Sequence, residues 1–188
     1  LERYKFASTF VAGRAVLDAA CGSGYGSEML MRAGARSVHG IDCSAPTIAY
    51  AASRYGAPGI EFTQGDLSSL QFASNAYEVI ISFETIEHLP NPREFIGRVQ
   101  RALAPNGMFI ASVPTSPTVD LDEFHLHDFT EASWRALVCS SGFHILQEFP
   151  QYYTASIREL IASQRAVNTE RGARRNAASY YVRHPYQF

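Results

Sequence analysis

A short apolar run, residues 14–20 (RAVLDAA), passes directly into Cys21-Gly22-Ser23-Gly24-Tyr25-Gly26 and then into a helix-forming stretch, residues 25–33. No other feature constrains the fold as strongly. Glycines at alternate positions let the backbone turn tightly and approach a ligand with no Cβ in the way. The helix that starts there offers free N–H groups and the positive end of its dipole. A pyrophosphate or a carboxylate suits such a place. As bare spacing, the same residues also fit a plain structural turn, so the flanking sequence has to decide.

The rest of the chain alternates strand and helix. Further strands are predicted at 37–42, 59–64, 77–83, 108–113 and 143–149, and helices at 1–11, 45–55, 93–103 and 130–141. Residues 77–83 (YEVIISF) are almost continuously β-branched or aromatic, as a central parallel strand covered on both faces should be. Apolar residues at helical spacing (Phe95, Ile96, Val99, Leu103) mark the helix before Pro105-Asn106-Gly107. Regular alternation implies βαβ units with right-handed crossovers and a parallel sheet. A single domain over 1–188 is expected, with a ligand-binding core at 1–149 and a C-terminal part at 150–188. That part would hold a helix at 155–167, a solvated basic loop at 171–175, and an antiparallel edge strand at 178–182 beside the sixth strand.

Composition removes several classes. With 188 residues, 46% of them hydrophobic and 18% charged, the chain is long enough for one proper core. A net charge of −2 argues against binding bare DNA backbone. Cys21, Cys43 and Cys139 form no CxxC pair, so neither a disulfide framework nor a zinc site is expected, and a reducing, cytoplasmic compartment is. No apolar run is long enough to span a membrane. The chain opens Leu1-Glu2-Arg3 without Met, as expected of one that lacks its natural first residue. Oligomeric state is not readable.

Two acids fall at the tips of the next strands. Asp42 ends the second, about 20 residues past the glycine turn, where an acid accepts from ribose hydroxyls. Asp66, in Gly65-Asp66-Leu67, follows the third, where an acid accepts from an adenine amino group while Leu67 packs on the ring. Each alone fits a turn acid. Together with the glycine turn they line the rim where open α/β sheets bind ligands.

On these residues the chain resembles the class I S-adenosylmethionine-dependent methyltransferases over roughly residues 1–149. Asp18, Gly22, Gly24 and Gly26 match the family's first motif, Asp42 and Asp66 its second- and third-strand acids, and residues 79–89 (VIISFETIEHL) its fourth-strand segment. Leu103-Ala104-Pro105-Asn106-Gly107 is similar to the turn before its fifth strand, with Asn for the first Gly. An NAD-type Rossmann enzyme would space the glycines differently. The resemblance implies a Rossmann-like α/β fold with a mostly parallel seven-stranded sheet and helices on both faces. It also implies S-adenosylmethionine as cofactor. The implied binding residues are Asp18, Gly22, Ser23, Gly24, Gly26, Asp42, Cys43, Asp66, Leu67 and, flanking the reacting methyl, Phe83.

Glu84-Thr85-Ile86-Glu87-His88 follows the fourth strand. On a helix, Glu84, Glu87 and His88 would share one face at i, i+3 and i+4, and His125 or His127 could join them. Three roles fit. His88, His125 or Glu84 could handle a hydroxyl proton as general base. Glu84, Glu87, His88 and His125 could hold a divalent metal, Mg2+ being the candidate. Or the group braces the turn. Glu-x-x-Glu-His is similar to the pattern in ubiquinone-pathway O-methyltransferases and in small-RNA 3′-end 2′-O-methyltransferases, where it is associated with a metal. Over its whole length the chain is similar to bacterial methyltransferases of cell-surface glycans and sugar-bearing natural products, implying O-methylation of a sugar or other small-molecule hydroxyl. Rival acceptors are a quinone or phenol and, less in keeping with the acidic charge, an RNA 2′-hydroxyl. A different class also fits: a protein that binds the cofactor without turnover.

Overall fold

The computed structural model describes residues 2–115, 124–153 and 175–183. Five parallel strands form the centre of the sheet: β1 (Ala15–Ala19), β2 (Ser37–Asp42), β3 (Ile60–Gln64), β4 (Tyr77–Phe83) and β5 (Leu103–Pro114). They lie in the order β3-β2-β1-β4-β5, so the order reverses beside β1. Helices α2 (Tyr25–Arg32), α3 (Ala45–Tyr55) and α4 (Pro92–Ala102) make the crossovers, and α1 (Glu2–Ala7) precedes the sheet. The link from β3 to β4 carries no helix. The result is an α/β Rossmann-like fold with helices on both faces.

Strand alternation separates two cores. Val16, Val79, Ile81 and Ile110 face α1 and α2, packing with Tyr4, Ala7 and Leu30. Leu17, Ile80, Phe109 and Ala111 point to the other face, against Phe95, Ile96 and Val99 of α4 and Trp134 and Val138 of α5 (Glu131–Ser140). The period-2 pattern of each strand thus becomes two filled layers. Asn91 caps α4 by accepting from the Glu94 N–H at 3.3 Å, with Pro92 in the first turn, and Thr130 caps α5 through a reciprocal bond pair with Ser133.

Four expectations about elements change. The first helix ends at Ala7 and continues as a 3₁₀ turn over Ser8–Phe10. The Pro105-Asn106-Gly107 turn lies inside β5, which begins at Leu103: Tyr77 pairs with Leu103 and Val79 with Met108, a shift absorbed by the bulge between. Asn106 supplies the left-handed bend there (φ 63°), a conformation asparagine accepts more readily than most residues. The strand expected at the edge is not at the edge. β7 (Arg175–Arg183) pairs antiparallel with both β5 and β6 (His144–Tyr153), which leaves β6 outermost. Of the basic loop expected at 171–175, Arg175 opens β7 instead, and 171–174 lie outside the described residues. The helix expected at 155–167 lies outside the described residues.

Asp18, on β1, is 1% exposed. It accepts from the Tyr4 hydroxyl at 2.9 Å and from the Ser27 hydroxyl at 2.7 Å, which ties α1 and α2 to the central strand. Burial raises its carboxyl to about 6, against the pull of the two hydroxyl donors. A raised folded-state value means that the protonated form stabilises the fold. That contribution is full below pH ~4 and is lost as pH rises through ~6. In urea titrations, Asp18→Asn is expected to remove this slope. Relative to the variant, the parent chain should lose up to about 3 kcal/mol between pH 4 and 6.5.

Candidate active site

The C-terminal tips of β1, β2, β3 and β4 surround one cleft of about 550 Å³, in the range of small-molecule sites. At one end it is lined by Asp42, Cys43, Asp66, Leu67 and Ser68, and at the other by Glu84, Thr85, His88, Leu89 and Phe124. Ala20 sits between the two groups.

The glycine turn is built by close packing. Gly22 (φ 53°) has open space where a Cβ would stand, and its N–H donates to Asp42 Oδ2 at 3.0 Å. Gly24 (φ 84°) begins α2 where a Cβ would lie 2.7 Å from Ala51 and 2.9 Å from Phe62. A Cβ at Gly26 would fall inside the Tyr4 ring. Among the three glycines, only Gly22 leaves open space for a ligand. Gly24 and Gly26 lack a side chain for the sake of neighbouring ones. Asp18, likewise read as a ligand acid, is enclosed by Tyr4 and Ser27. Cys21 lies beneath the turn, its thiol pushed up to about 12 by burial and by Asp18 and Asp42, so it is neutral and unreactive.

Asp42 holds two backbone donors, Gly22 N–H through Oδ2 and Ser44 N–H through Oδ1, each at 3.0 Å. It is half-buried and faces the cleft. Asp66 is exposed, and the Ser68 N–H at 2.8 Å holds its carboxyl below the usual range. Arg98, unremarked in the sequence, fixes this loop from below. Its side chain is 2% exposed, pairs with Glu94 at 2.6 Å, and donates to the carbonyls of Leu67 at 2.6 Å and Ser68 at 2.9 Å. Phe83 does not line the cleft. It meets Tyr4 edge to face, centroids 5.1 Å apart. Ser23 is not among the lining residues either.

Beyond β4, a single 3₁₀ turn (Ile86–His88) replaces the expected helix, and Glu84 lies outside it in a left-handed conformation, φ 49°. Glu84 therefore leaves the predicted face and bonds Ser112 and Arg3. Glu87, His88 and His125 do converge, with one ligand atom from each within 4.8 Å of the others. The His88 and His125 rings stand 4.6 Å apart. His88 Nδ1 lies 2.8 Å from the Phe124 carbonyl, which can only accept, so Nδ1 carries a proton and, in the neutral ring, the lone pair falls on Nε2. His127 is turned away to the Leu89 carbonyl at 2.9 Å. One carboxylate and two imidazoles suit a borderline ion such as Zn2+ or Fe2+ better than Mg2+, which takes oxygen donors.

Residues 17–111, just over half of the chain, match the Methyltransferase domain family. The chain belongs to that family. The Methyltransferase domain match runs from β1 to within β5 and so takes in every residue that lines the cleft except Phe124. A Mycolicibacterium smegmatis protein named "Probable S-adenosylmethionine-dependent methyltransferase" is 33% identical over 80% of this chain and 60% of its own length. A Mycobacterium ulcerans protein named "Probable phthiotriol/phenolphthiotriol dimycocerosates methyltransferase 2" is 29% identical over 70% of this chain and 47% of its own. The chain thus spans about half to three-fifths of the length of these curated relatives. Among solved structures, an S-adenosylmethionine-dependent methyltransferase from Mesorhizobium loti shares the fold, with a TM-score of 0.76, 19% identity, and coverage of 97% of this chain and 96% of that one.

Arg98 offers a test of how the cleft wall is held. Arg98→Met keeps the buried stem and removes the bonds to both loop carbonyls. It should lower unfolding free energy by about 2–3 kcal/mol, read from the urea midpoint at unchanged slope.

Proposed function

We propose that this chain is an S-adenosylmethionine-dependent methyltransferase acting on the hydroxyl of a small molecule. The observation that carries this reading is the single cleft that joins Asp42 and Asp66 at one end to His88 at the other, within a family-matched sheet. A single domain over 1–188 with a seven-stranded sheet, and a cytoplasmic setting, go with it. The setting is supported by three free thiols and by the lack, among the described residues, of a helix long and apolar enough to cross a membrane.

The residues present fit the cofactor. Asp42 keeps lone pairs for a ribose diol after taking its two N–H groups. Asp66 and buried Leu67 suit an adenine edge and face. The bare Gly22 bend suits the amino-acid end, and Gly24, Gly26, Ser23, Cys43 and Phe83 support that bend and its surroundings. Bound there, S-adenosylmethionine supplies an electrophilic methyl on a positively charged sulfur. The chain's own part is alignment of the acceptor oxygen and removal of its proton, which His88 Nε2 takes while Nδ1 stays fixed on the Phe124 carbonyl. His125, a ring contact away, joins in holding the acceptor. A sugar hydroxyl is the preferred acceptor, in keeping with the whole-length resemblance. A phenol or lipid-borne hydroxyl is the second reading, favoured by the name of the M. ulcerans relative. The Glu87–His88–His125 convergence favours a competing role for His88: a divalent ion held by those three residues would occupy the Nε2 lone pair and lower the acceptor hydroxyl's pKa in place of the base.

S-adenosylhomocysteine at about 100 times its Kd should stabilise the chain by about 2.7 kcal/mol, while NAD leaves it unchanged. Asp42→Ala should abolish the shift in melting temperature. No shift in the parent chain would remove the methyltransferase reading. With labelled cofactor and a panel of glycosides and phenols, His88→Ala should lower turnover by about 10²-fold or more while leaving S-adenosylhomocysteine affinity intact. Activity that survives a chelator excludes the ion and keeps the base.

A further inference from the structure

His88 sits where two loops meet, and they meet by exchanging hydrogen bonds. Residues 124–127 run past the 3₁₀ turn that ends in His88. The Glu87 carbonyl accepts the N–H groups of Leu126 at 2.9 Å and of His127 at 3.2 Å. The His88 ring donates from Nδ1 to the Phe124 carbonyl at 2.8 Å, and the His127 ring bonds through Nε2 to the Leu89 carbonyl at 2.9 Å. Each loop thus gives one imidazole N–H to a carbonyl of the other. A carbonyl cannot donate, so His127 carries a proton on Nε2.

The two backbone bonds converge on one oxygen. A single point is a pivot: it holds residues 124–127 to the turn without setting their direction. The His127–Leu89 bond supplies the second point. On its other side the His127 ring stands 6.1 Å from that of Phe129, tilted by 38°, and Phe129 is buried edge to face with Trp134 of α5. His127 is therefore fixed between the core and the turn, and it does not line the cleft.

This bears on His88 through its tautomer. Which imidazole nitrogen holds the lone pair is set by what the other nitrogen meets. The Phe124 carbonyl meets Nδ1 only while residues 124–127 keep their direction. Released from it, a neutral ring carries its proton on either nitrogen. The Nε2–H form has no lone pair at Nε2 to take a proton from a hydroxyl or to bind an ion.

We infer that His127 is a positioning residue: its bond to Leu89 aims residues 124–127 so that the Phe124 carbonyl keeps the His88 proton on Nδ1 and leaves Nε2 for the reaction. The inference rests on the reading that His88 acts through Nε2, and it applies whether that nitrogen takes a proton or an ion.

Nitrogen-15 NMR of histidine-labelled chain, recorded at about pH 8 where neutral rings prevail, tests this without an acceptor, because a protonated ring nitrogen resonates far from one with a lone pair. In the parent chain His88 should be a single Nδ1–H form and His127 an Nε2–H form. A His127 protonated on Nδ1 instead overturns the inference. His127→Phe keeps a ring against Phe129 and removes the donor. It should turn His88 into a mixture of tautomers, with a cooperative urea transition showing the variant folded. His127→Gln, whose amide nitrogen stands near the place of Nε2, should restore the single form. If His127→Phe fails to fold, His127→Asn replaces it, with the same amide one bond short of the carbonyl. A His88 that stays wholly Nδ1–H in the variant without the donor overturns the inference. In the labelled-cofactor assay, losing the donor should lower kcat by about three- to tenfold, the range of one neutral hydrogen bond, and His127→Gln should recover it. Turnover that falls in His88→Ala but not in the variant without the donor overturns the inference and leaves the role of His88 standing. Turnover indifferent to both overturns both.

Discussion

An ionisable group in the interior must be matched by donors or it destabilises the fold. Asp18 is matched by two hydroxyls from different helices, Tyr4 on α1 and Ser27 on α2. The geometry of the whole β1 end follows from that match. Tyr4 reaches Asp18 only because residue 26 has no side chain, and its ring then sets Tyr25 and Phe83 edge-on at 5.3 Å and 5.1 Å. With Tyr4 anchored, Arg3 is delivered to the tip of β4. A six-residue helix too short to be stable alone thus becomes part of the cleft wall because one buried carboxylate holds it there.

The acids around the cleft differ in what they have left to give. Asp18 is consumed by the scaffold. Asp42 divides its oxygens between two backbone N–H groups, which fixes its rotamer while leaving lone pairs toward the cleft. Asp66 is pinned by the turn that follows it, and that turn is pinned from beneath by Arg98, a cation whose buried stem and head brace the wall from the far face of the sheet. Such preorganisation means that a ligand meets groups already aimed, with little side-chain entropy left to lose.

Much of this was legible in the sequence where local pattern and tertiary demand agree. β4 came from an almost continuous β-branched and aromatic run, and α4 from apolar residues at helical spacing ahead of Pro105-Asn106-Gly107. Asp42 and Asp66 came from their offset to the glycine turn. What failed to show is what depends on partners distant in the chain. A buried Asp18 and a ligand-facing Asp18 have the same neighbours in sequence. Gly26 looks like a third loop glycine until Tyr4 is seen occupying its place. The Glu84-x-x-Glu87-His88 spacing suggests a helical face, but Ser112, 28 residues on, captures Glu84 and bends the chain the other way. Arg98 reads as one more solvated charge on an amphipathic helix, although a carbonyl-lined slot lies under it. The Glu94–Arg98 spacing shows only the i,i+4 partner, and no local signal points to the loop carbonyls.

The position of β7 bears on the order in which the sheet can be completed. β6 is made first in the chain, but among the described residues its ladder joins the sheet through β7, which is made later and lies between β5 and β6. Until that last strand arrives, the outer side of β5 is an open template and β6 has nothing to join. Closing both ladders depends on contacts between segments far apart along the chain, the kind that form slowly. A nascent chain would thus carry a finished ligand cleft at β1 to β4 beside an unpaired β5 border, and the two ends of the same sheet would mature on separate clocks.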